Sequence, residues 1–476
     1  DFVCLAMPSK HLDAIETILK RQHAGIFEIP QDLPHDTVEA LKEVNNQLAE
    51  NMKKENAVLG TLNKLSQKNK RKISSLLEIT KNILTVLQTK TKILESDRLA
   101  TLKGFVPKKK FHALTKSVYG ILGEKALVLE NDLAIDEDPP TKINHNKFIS
   151  PFGEITKLYG LPHYEEFDPT PVIAITFPLI FGLMFGDVGH GLVLLVGGLT
   201  VGKLVRRNQG IKNMCYILAA CGIGAIIAGA LYGEFFGTQL FHPLWFSPFS
   251  PITNVFMFLL FSLFVGIIQI MSGLALEMVN FLFRRNYADA ILTSVPKMFF
   301  YAGSVILIAV YQLNFDKWLS GPILLVIIPF LVLVFAKPSF SALQDFSMRA
   351  VETTNERASL GQRLFESGDL VTRLLSNTMS YTRILALLMA HWALILVTYT
   401  VAGLIGTASL LGLVLSGIII VGGNLFVLAL EGLIVFIHTL RLHFYEWFSK
   451  FYLGNGSEFK AYEQNFIFTE VVLGEK

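Results

Sequence analysis

From Pro171 onward the chain repeats apolar runs of about 20 residues, the length an α-helix needs to cross a bilayer. Lipid offers no hydrogen bonds, so every N–H and C=O in such a run must be satisfied internally, and the runs must fold as helices. Two of them carry an arginine at their centre. The first, VTRLLSNTMSYTRILALLMAHWALILVTYTV, centres on Arg383. The second, VGGNLFVLALEGLIVFIHTLRLHFYEWFSKF, carries Glu431, His438, Arg441 and Glu446. An arginine at mid-membrane costs about 2.5–3.5 kcal/mol on insertion scales, so it faces a partner or a water-filled cavity. Two in neighbouring spans point to ion handling.

Composition supports a membrane protein with a soluble extension. The 476 residues are 51% hydrophobic and 17% charged, with mean hydropathy +0.46, too apolar for one soluble domain. The charge gathers in residues 1–168, which are rich in Lys, Glu and Asp. The expected fold is a polytopic α-helical membrane protein whose N-terminal cytoplasmic arm combines small α/β pieces with a helical coiled coil. The arm occupies residues 1–168 and the membrane domain residues 169–476. A net charge of +3 gives no reason to expect nucleic acid, and Cys4, Cys215 and Cys221 have neither metal-site spacing nor a disulfide pattern. The opening DFVCLAMPSK has no basic segment leading into an apolar stretch, so no signal peptide is visible and insertion relies on the internal spans.

Within the arm, residues 1–30 read as strand, helix and strand. Residues 36–97 space their apolar residues as a helix does, with Leu41, Val44, Leu48, Met52, Leu59, Leu62, Leu65, Ile73, Leu76, Leu77, Ile83, Leu84 and Leu87 between charges. That predicts a long helical arm or hairpin, its stripe either self-packed or a docking surface for other helices. Residues 100–130 read as a small αβ piece, and 131–170 as a Pro- and Asp-containing connection.

The apolar runs predict about eight spans, at 171–186, 189–205, 213–233, 253–280, 290–313, 320–337, 371–406 and 410–450. Lys203, Arg206, Arg207 and Lys212 share one loop, Arg284 and Arg285 lie two spans later, and Lys337, Arg349, Arg357 and Arg363 two spans later again. The alternate loops are nearly free of Lys and Arg, so the positive-inside rule puts both termini and the arm in the cytoplasm. The last two spans exceed the length of a crossing and are expected to tilt or to project beyond the bilayer.

At 100° per residue, Ser376, Ser380, Arg383, His391 and Thr398 fall within about 80° of one helix, and Glu431, His438, Arg441 and Tyr445 within about 80° of the other. Such stripes could be polar glue between packed helices. Two arginines, two histidines and two carboxylates exceed what glue requires. With a rise of ~1.5 Å per residue, His391 lies ~12 Å outward of Arg383 and Asp369 ~21 Å inward; Glu431 lies ~15 Å outward of Arg441 and Glu446 ~7 Å inward. Titratable groups on both sides of an arginine layer suit two half-channels that do not connect. A carboxylate on a partner would load from one and release to the other, while the fixed positive charge blocks a direct leak.

Other residues read less specifically. Asp187 and His190, in GDVGHG, are expected at an external turn, with Asp187 capping the helix that follows. Glu234 is expected at a membrane interface, with a channel mouth as the other reading. Trp245, Phe246 and Phe249 suit an interfacial aromatic belt, and Lys108–Lys110 a solvated face.

Three stretches, FPLIFGLMFGDVGHG (177–191), SNTMSYTRILALLMAH (376–391) and EGLIVFIHTLRLHFYEWFSKFY (431–452), closely resemble the membrane stator subunit, called a or I, of rotary V-type and A/V-type ATPases. The LKGFVP segment (102–107) and the connection before the membrane domain fit the same family, so the resemblance covers nearly everything from residue 100. It implies that Arg383 and Arg441 match the family's paired essential arginines, His391 and Glu431 its half-channel residues, and Glu446 an acidic position just past the second arginine. It also implies as partners a ring of proteolipid c-subunits, peripheral-stalk subunits of the E/G type on the arm, a central-stalk or ring-cap subunit of the d/C type, and membrane lipid. The family's soluble region is longer, with a lobe at each end of its coiled coil, so a distal lobe is expected to be missing here. The style of the last motif and the short apolar loops read as prokaryotic, which points to a plasma membrane.

No GxxxxGK[ST] occurs, and GILGEK at 120–125 is not a match, so the chain is not expected to hydrolyse ATP itself or to hold a cofactor. Two other readings stay open: a stand-alone transporter or channel regulated by the arm, which would show inverted repeats and helices interrupted at mid-membrane, and a scaffold whose buried charges only pair.

Overall fold

The computed structural model describes residues 37–96, 99–131, 138–205, 208–239, 242–244, 253–312, 315–319, 322–347, 360–405, 409–464 and 466–469. The expected strand–helix–strand at 1–30 and the aromatics Trp245, Phe246 and Phe249 lie outside these residues. The chain divides into two compact units, Asp1–Gly104 with Ala461–Lys476, and Phe105–Lys460.

The first unit is dominated by helix α1, Thr37–Lys90, 54 residues without a break. Pro is absent from it and Gly60 is its only glycine, so nothing interrupts the hydrogen-bond ladder. The apolar stripe of Leu41, Leu48, Leu62, Ile73 and Leu84 is exposed in the described structure. Strands β1, Ile93–Glu95, and β2, Ala100–Leu102, follow as an antiparallel pair with Ile93 opposite Leu102.

One carboxylate on α1 gathers the C-terminal tail. Glu78 accepts hydrogen bonds from the backbone N–H groups of Ile467, Phe468 and Thr469 at 3.0–3.2 Å, and from the Thr469 hydroxyl at 2.5 Å. The Thr469 hydroxyl, with help from those amides and against partial burial, holds the Glu78 carboxyl below its ordinary 4.5. A depressed carboxylate contributes its full stabilisation above the free value and loses it as pH falls through the folded one. The Ile467–Thr469 amides should therefore exchange hydrogen faster as pH is lowered below 4.5, after correction for intrinsic rates. Glu78→Gln should show the faster exchange already at neutral pH; equal exchange in both chains would show that the clamp contributes nothing.

The second unit begins with helix α2, Lys108–Leu122, and a short helix α3, Gly153–Tyr159. Its membrane-type helices are α4, Thr170–Met184; α5, Val188–Leu204; α6, Gln209–Tyr232; α7, Thr253–Phe283; α8, Tyr287–Tyr311, which contains a π-helical turn at Ala290–Ser294; and, after the short α9, Phe315–Leu319, α10, Leu324–Ser347. Then come α11, Leu360–Ser380, α12, Arg383–Ile405, and α13, Leu410–Arg441. Among the described residues, five stretches are long and apolar enough to cross a membrane: Gln209–Tyr232, Val255–Phe283, Tyr287–Tyr311, Leu364–Ile405 and Leu410–Lys450. Thr170–Met184, Val188–Leu204 and Leu324–Phe335 are apolar but shorter. The chain is thus a mostly helical membrane protein with little sheet.

Helices α4, α5 and α6 pack unusually close because small residues line their contacts. A Cβ built on Gly224 would sit 2.0 Å from the carbonyl oxygen of Pro178, and one on Gly182 would sit 2.2 Å from the Gly224 backbone. The core below them is aromatic, with Phe177, Phe181, Phe185, Tyr232, Tyr381, Trp447 and Phe448 all essentially inaccessible.

After α13 the chain winds through a π-helical turn, Leu442–Trp447, and a 3-10 turn, Phe448–Lys450. Trp447 donates to the Ser272 hydroxyl on α7 at 3.0 Å, and the Tyr452 hydroxyl donates to the Gly160 carbonyl at 2.7 Å. Asn280 of α7 joins two distant segments, accepting from Phe167 N–H at 2.8 Å and donating to the Phe451 carbonyl at 2.7 Å. The connection that precedes α4 is thereby bound to the chain's last turn, and Thr141 exchanges backbone bonds with Ser457 and Phe459.

Candidate functional site

The two arginine helices are not the regular helices that a 3.6-residue period implies. Hydrogen bonding between α11 and α12 tightens to i→i+3 at Tyr381, Thr382 and Ile384, so Arg383 opens α12 instead of sitting mid-helix. On the other helix Arg441 ends the regular ladder and the π-helical turn follows at once. Such turns occur as single insertions within α-helices and re-aim the side chains after them, often at functional sites. Each arginine therefore sits at a break in its own helix.

Tyr381 sets the first break. Its ring is fully buried against α7, where a Cβ on Gly266 would lie 2.5 Å from its Cγ, so that glycine provides the space the ring fills. Next to it the Arg383 guanidinium, 18% exposed, stands 3.6 Å from Oε1 of Glu446, which is 4% exposed. The π-helical turn turns Glu446 inward, while Arg441, five residues earlier, stays exposed. Among the described residues no carboxylate lies within ion-pair distance of Arg441. His438 is half-buried, with its Nδ1 buried and unpartnered. The Ser380 hydroxyl donates back to the Ser376 carbonyl, and Ser376 is exposed.

A second cluster surrounds His391. Its Nδ1 lies 2.7 Å from Oε2 of Glu431, and both side chains are buried. The sequence places these two residues in separate helices, and the structure joins them. It also brings in a pair expected at an external turn. Helices α4 and α5 have 15 and 17 residues, or roughly 22 and 26 Å, which is shorter than the ~30 Å hydrocarbon layer. Their turn packs beside His391, whose ring centroid is 5.5 Å from that of His190. Asp187 and His190 are thus buried at 0% and 1% exposure beside an arginine-bearing span.

Asp187 does cap α5 as its position suggests, accepting from His190 N–H at 2.9 Å. It also accepts from Phe236 and Gly237 N–H at 3.0 and 2.6 Å. Those amides belong to the turn between β3, Glu234–Phe235, and β4, Thr238–Gln239. Phe236 and Gly237 have φ of 46° and 68°, and the left-handed region is costly for phenylalanine. The Asp187 carboxylate offsets that cost by accepting both exposed donors, and Tyr399 of α12 adds a bond to the Phe236 carbonyl at 2.9 Å. Glu234, expected at an interface, is instead 1% exposed with neither carboxylate oxygen partnered.

On the other side of the arginines a cavity of about 300 Å³ is lined by Glu277, Lys297, Arg373, Asn377 and Lys450. Lys297 pairs with Glu277 at 2.7 Å. Asp369 is half-exposed and paired with Arg373 one turn along α11, and Arg373 is the member of that pair that faces the cavity. Nothing in the apolar spacing marked Glu277, Lys297, Lys450 or Tyr381. The available signal was Glu277 and Lys297 as charges inside predicted spans.

The fold and these clusters define a membrane-embedded helical protein with ionisable groups buried within its spans. The chain belongs to the V-type ATPase 116kDa subunit family, whose profile matches residues 1–255 and 369–464. It is 27% identical, over 95% of its length, to the A-type ATP synthase subunit I of Aeropyrum pernix, covering 70% of that protein. It is 25% identical to the subunit I of Methanocaldococcus jannaschii over 90% of this chain and 64% of the relative. It is also 25% identical to the vacuolar proton translocating ATPase 100 kDa subunit of Dictyostelium discoideum, over 77% of this chain and 58% of the relative. The chain thus spans between about three-fifths and seven-tenths of these relatives.

The packing of Tyr381 on Gly266 can be tested directly. Gly266→Ala should destabilise the purified protein by about 1–3 kcal/mol, read as a lowered melting temperature. It should also weaken the placement of Arg383. An unchanged melting temperature would show that the ring has room to move.

Proposed function

We propose that this chain is the stationary membrane subunit of a rotary V/A-type ATPase. It provides two ion half-channels against a ring of proteolipid subunits and couples ATP-driven rotation to transport of H⁺ or Na⁺. The observation that carries this reading is the outer face of α13. Phe426, Leu430, Ile434 and Ile437 line up along it, exposed, with Arg441 next in the same row. An exposed cation ending an apolar membrane face calls for an anionic partner within the membrane, and a carboxylate on an apolar ring helix is the simplest. Arg383 lies within electrostatic reach of Arg441, so the passing carboxylate would meet both charges in its ionised form.

The remaining groups fall on either side. His391 with Glu431 would serve the outward half-channel, with Asp369 at the inner rim. Glu446 tethers Arg383, and His438, Ser376 and Ser380 line the approach. ATP hydrolysis belongs to other subunits. The arm would dock peripheral-stalk subunits, a ring-cap subunit would contact the complex from the cytoplasm, and both termini would lie on that side. The break between α11 and α12 is a feature that a stand-alone transporter would share, and transport by the isolated chain separates the two readings.

Arg383→Ala should abolish ATP-driven ion uptake into vesicles carrying the whole complex while leaving assembly intact, in sodium-containing or sodium-depleted buffer according to the ion. The isolated chain in vesicles should move no ions. Full uptake by an assembled Arg383→Ala complex would make the arginine structural and end this reading.

A further inference from the structure

We propose that Asp187, His190 and His391 form a binding site for a divalent transition-metal ion of the zinc class, with Glu431 holding His391 from behind. One oxygen or nitrogen from each of the three lies within 4.8 Å of the others, and all three residues are buried. A cluster of such residues alone would be weak ground. The second observation is that three of its four ring nitrogens lack a hydrogen-bond partner. Both ring nitrogens of His190 are buried without a hydrogen-bond partner, and so is Nε2 of His391. An imidazole nitrogen cut off from water and left unpaired carries a desolvation penalty that a metal bond would remove.

The arrangement around His391 is the one that metal-ligating histidines use. Glu431 engages Nδ1 at 2.7 Å, which fixes the ring's tautomer and leaves the Nε2 lone pair facing away from the carboxylate. Asp187 is held by three backbone N–H groups, two on Oδ1 and one on Oδ2, which leaves one lone pair on Oδ2 for an ion; His190 Nδ1 stands 3.3 Å from Oδ1. The rings of Phe185 and Phe236 enclose the two imidazoles at centroid distances of 5.0–5.8 Å. Two nitrogens and one oxygen suit zinc or cobalt and do not suit calcium or magnesium, which need all-oxygen shells. Three protein ligands leave a fourth position open. Glu234, buried with two unpartnered oxygens, lies within electrostatic reach of Asp187, His391 and Glu431. Ligand atoms on a tetrahedral zinc ion sit roughly 3.4 Å apart, so the imidazoles must swing inward while the pinned Asp187 stays.

Binding is independent of the function proposed above. Its consequence rests on that reading: a metal ion on His391 Nε2 would occupy the outward half-channel and stop conduction.

The test is a CoCl₂ titration of the purified complex, reading the visible absorption of four-coordinate cobalt, in the parent chain, His190→Gln and Glu431→Gln. The parent should develop the absorption and lose it to ZnCl₂. His190→Gln should abolish the signal, and Glu431→Gln should weaken affinity about 10–100-fold, as loss of a supporting carboxylate does. Should His190→Gln fail to fold, zinc X-ray absorption of the parent complex gives an independent readout, with two imidazoles and one carboxylate expected around the ion. Absence of binding, an unchanged cobalt signal in a folded His190→Gln complex, or a zinc shell without two imidazoles would overturn the site. Histidine-dependent binding that leaves ion uptake intact would uphold the site and count against the half-channel reading.

Discussion

A guanidinium cannot be left bare in an apolar interior, and the second unit is arranged around that constraint. Arg383 has a carboxylate within reach only because the π-helical turn after Arg441 brings Glu446 round to it. The turn is in turn held by Trp447, whose indole bonds Ser272, and by the aromatic stack that follows. Removing one member of a buried pair leaves an uncompensated charge, which costs about 3–5 kcal/mol. Packing around the last turn and electrostatics at the arginine are therefore parts of one device.

The same economy governs the cluster around His391. Two short helices, α4 and α5, meet at a turn that would expose backbone donors and a carboxylate to an apolar interior. Asp187 answers by capping α5 and by accepting from the left-handed turn at Phe236 and Gly237. The close contacts at Gly182 and Gly224 make that packing possible, since any side chain there would separate α4 from α6. Glycine packing and buried polarity are linked.

Membership of the V-type ATPase 116kDa subunit family and the exposed row ending at Arg441 bear on one another. The exposed cation at the end of that row is what the proposed carboxylate partner would meet. Among the described residues the long α1 likewise leaves its apolar stripe exposed.

Much of this was legible in the sequence. Apolar runs of bilayer length dictate helices because lipid cannot satisfy the backbone, and Arg383, His391, Glu431, Arg441 and Glu446 stand out because charge is rare there. The cap at Asp187 was readable from its place before a helix. Tertiary structure alone decided what met what. The breaks at Tyr381 and after Arg441 arise from packing against Gly266 and Ser272 on another helix, and periodicity, a property of one helix, has no term for that. For the same reason the sequence could not bring Asp187, His190 and Glu234 beside His391: their meeting depends on how closely three glycine-bearing helices pack against α12 and α13, and only the folded chain shows that distance.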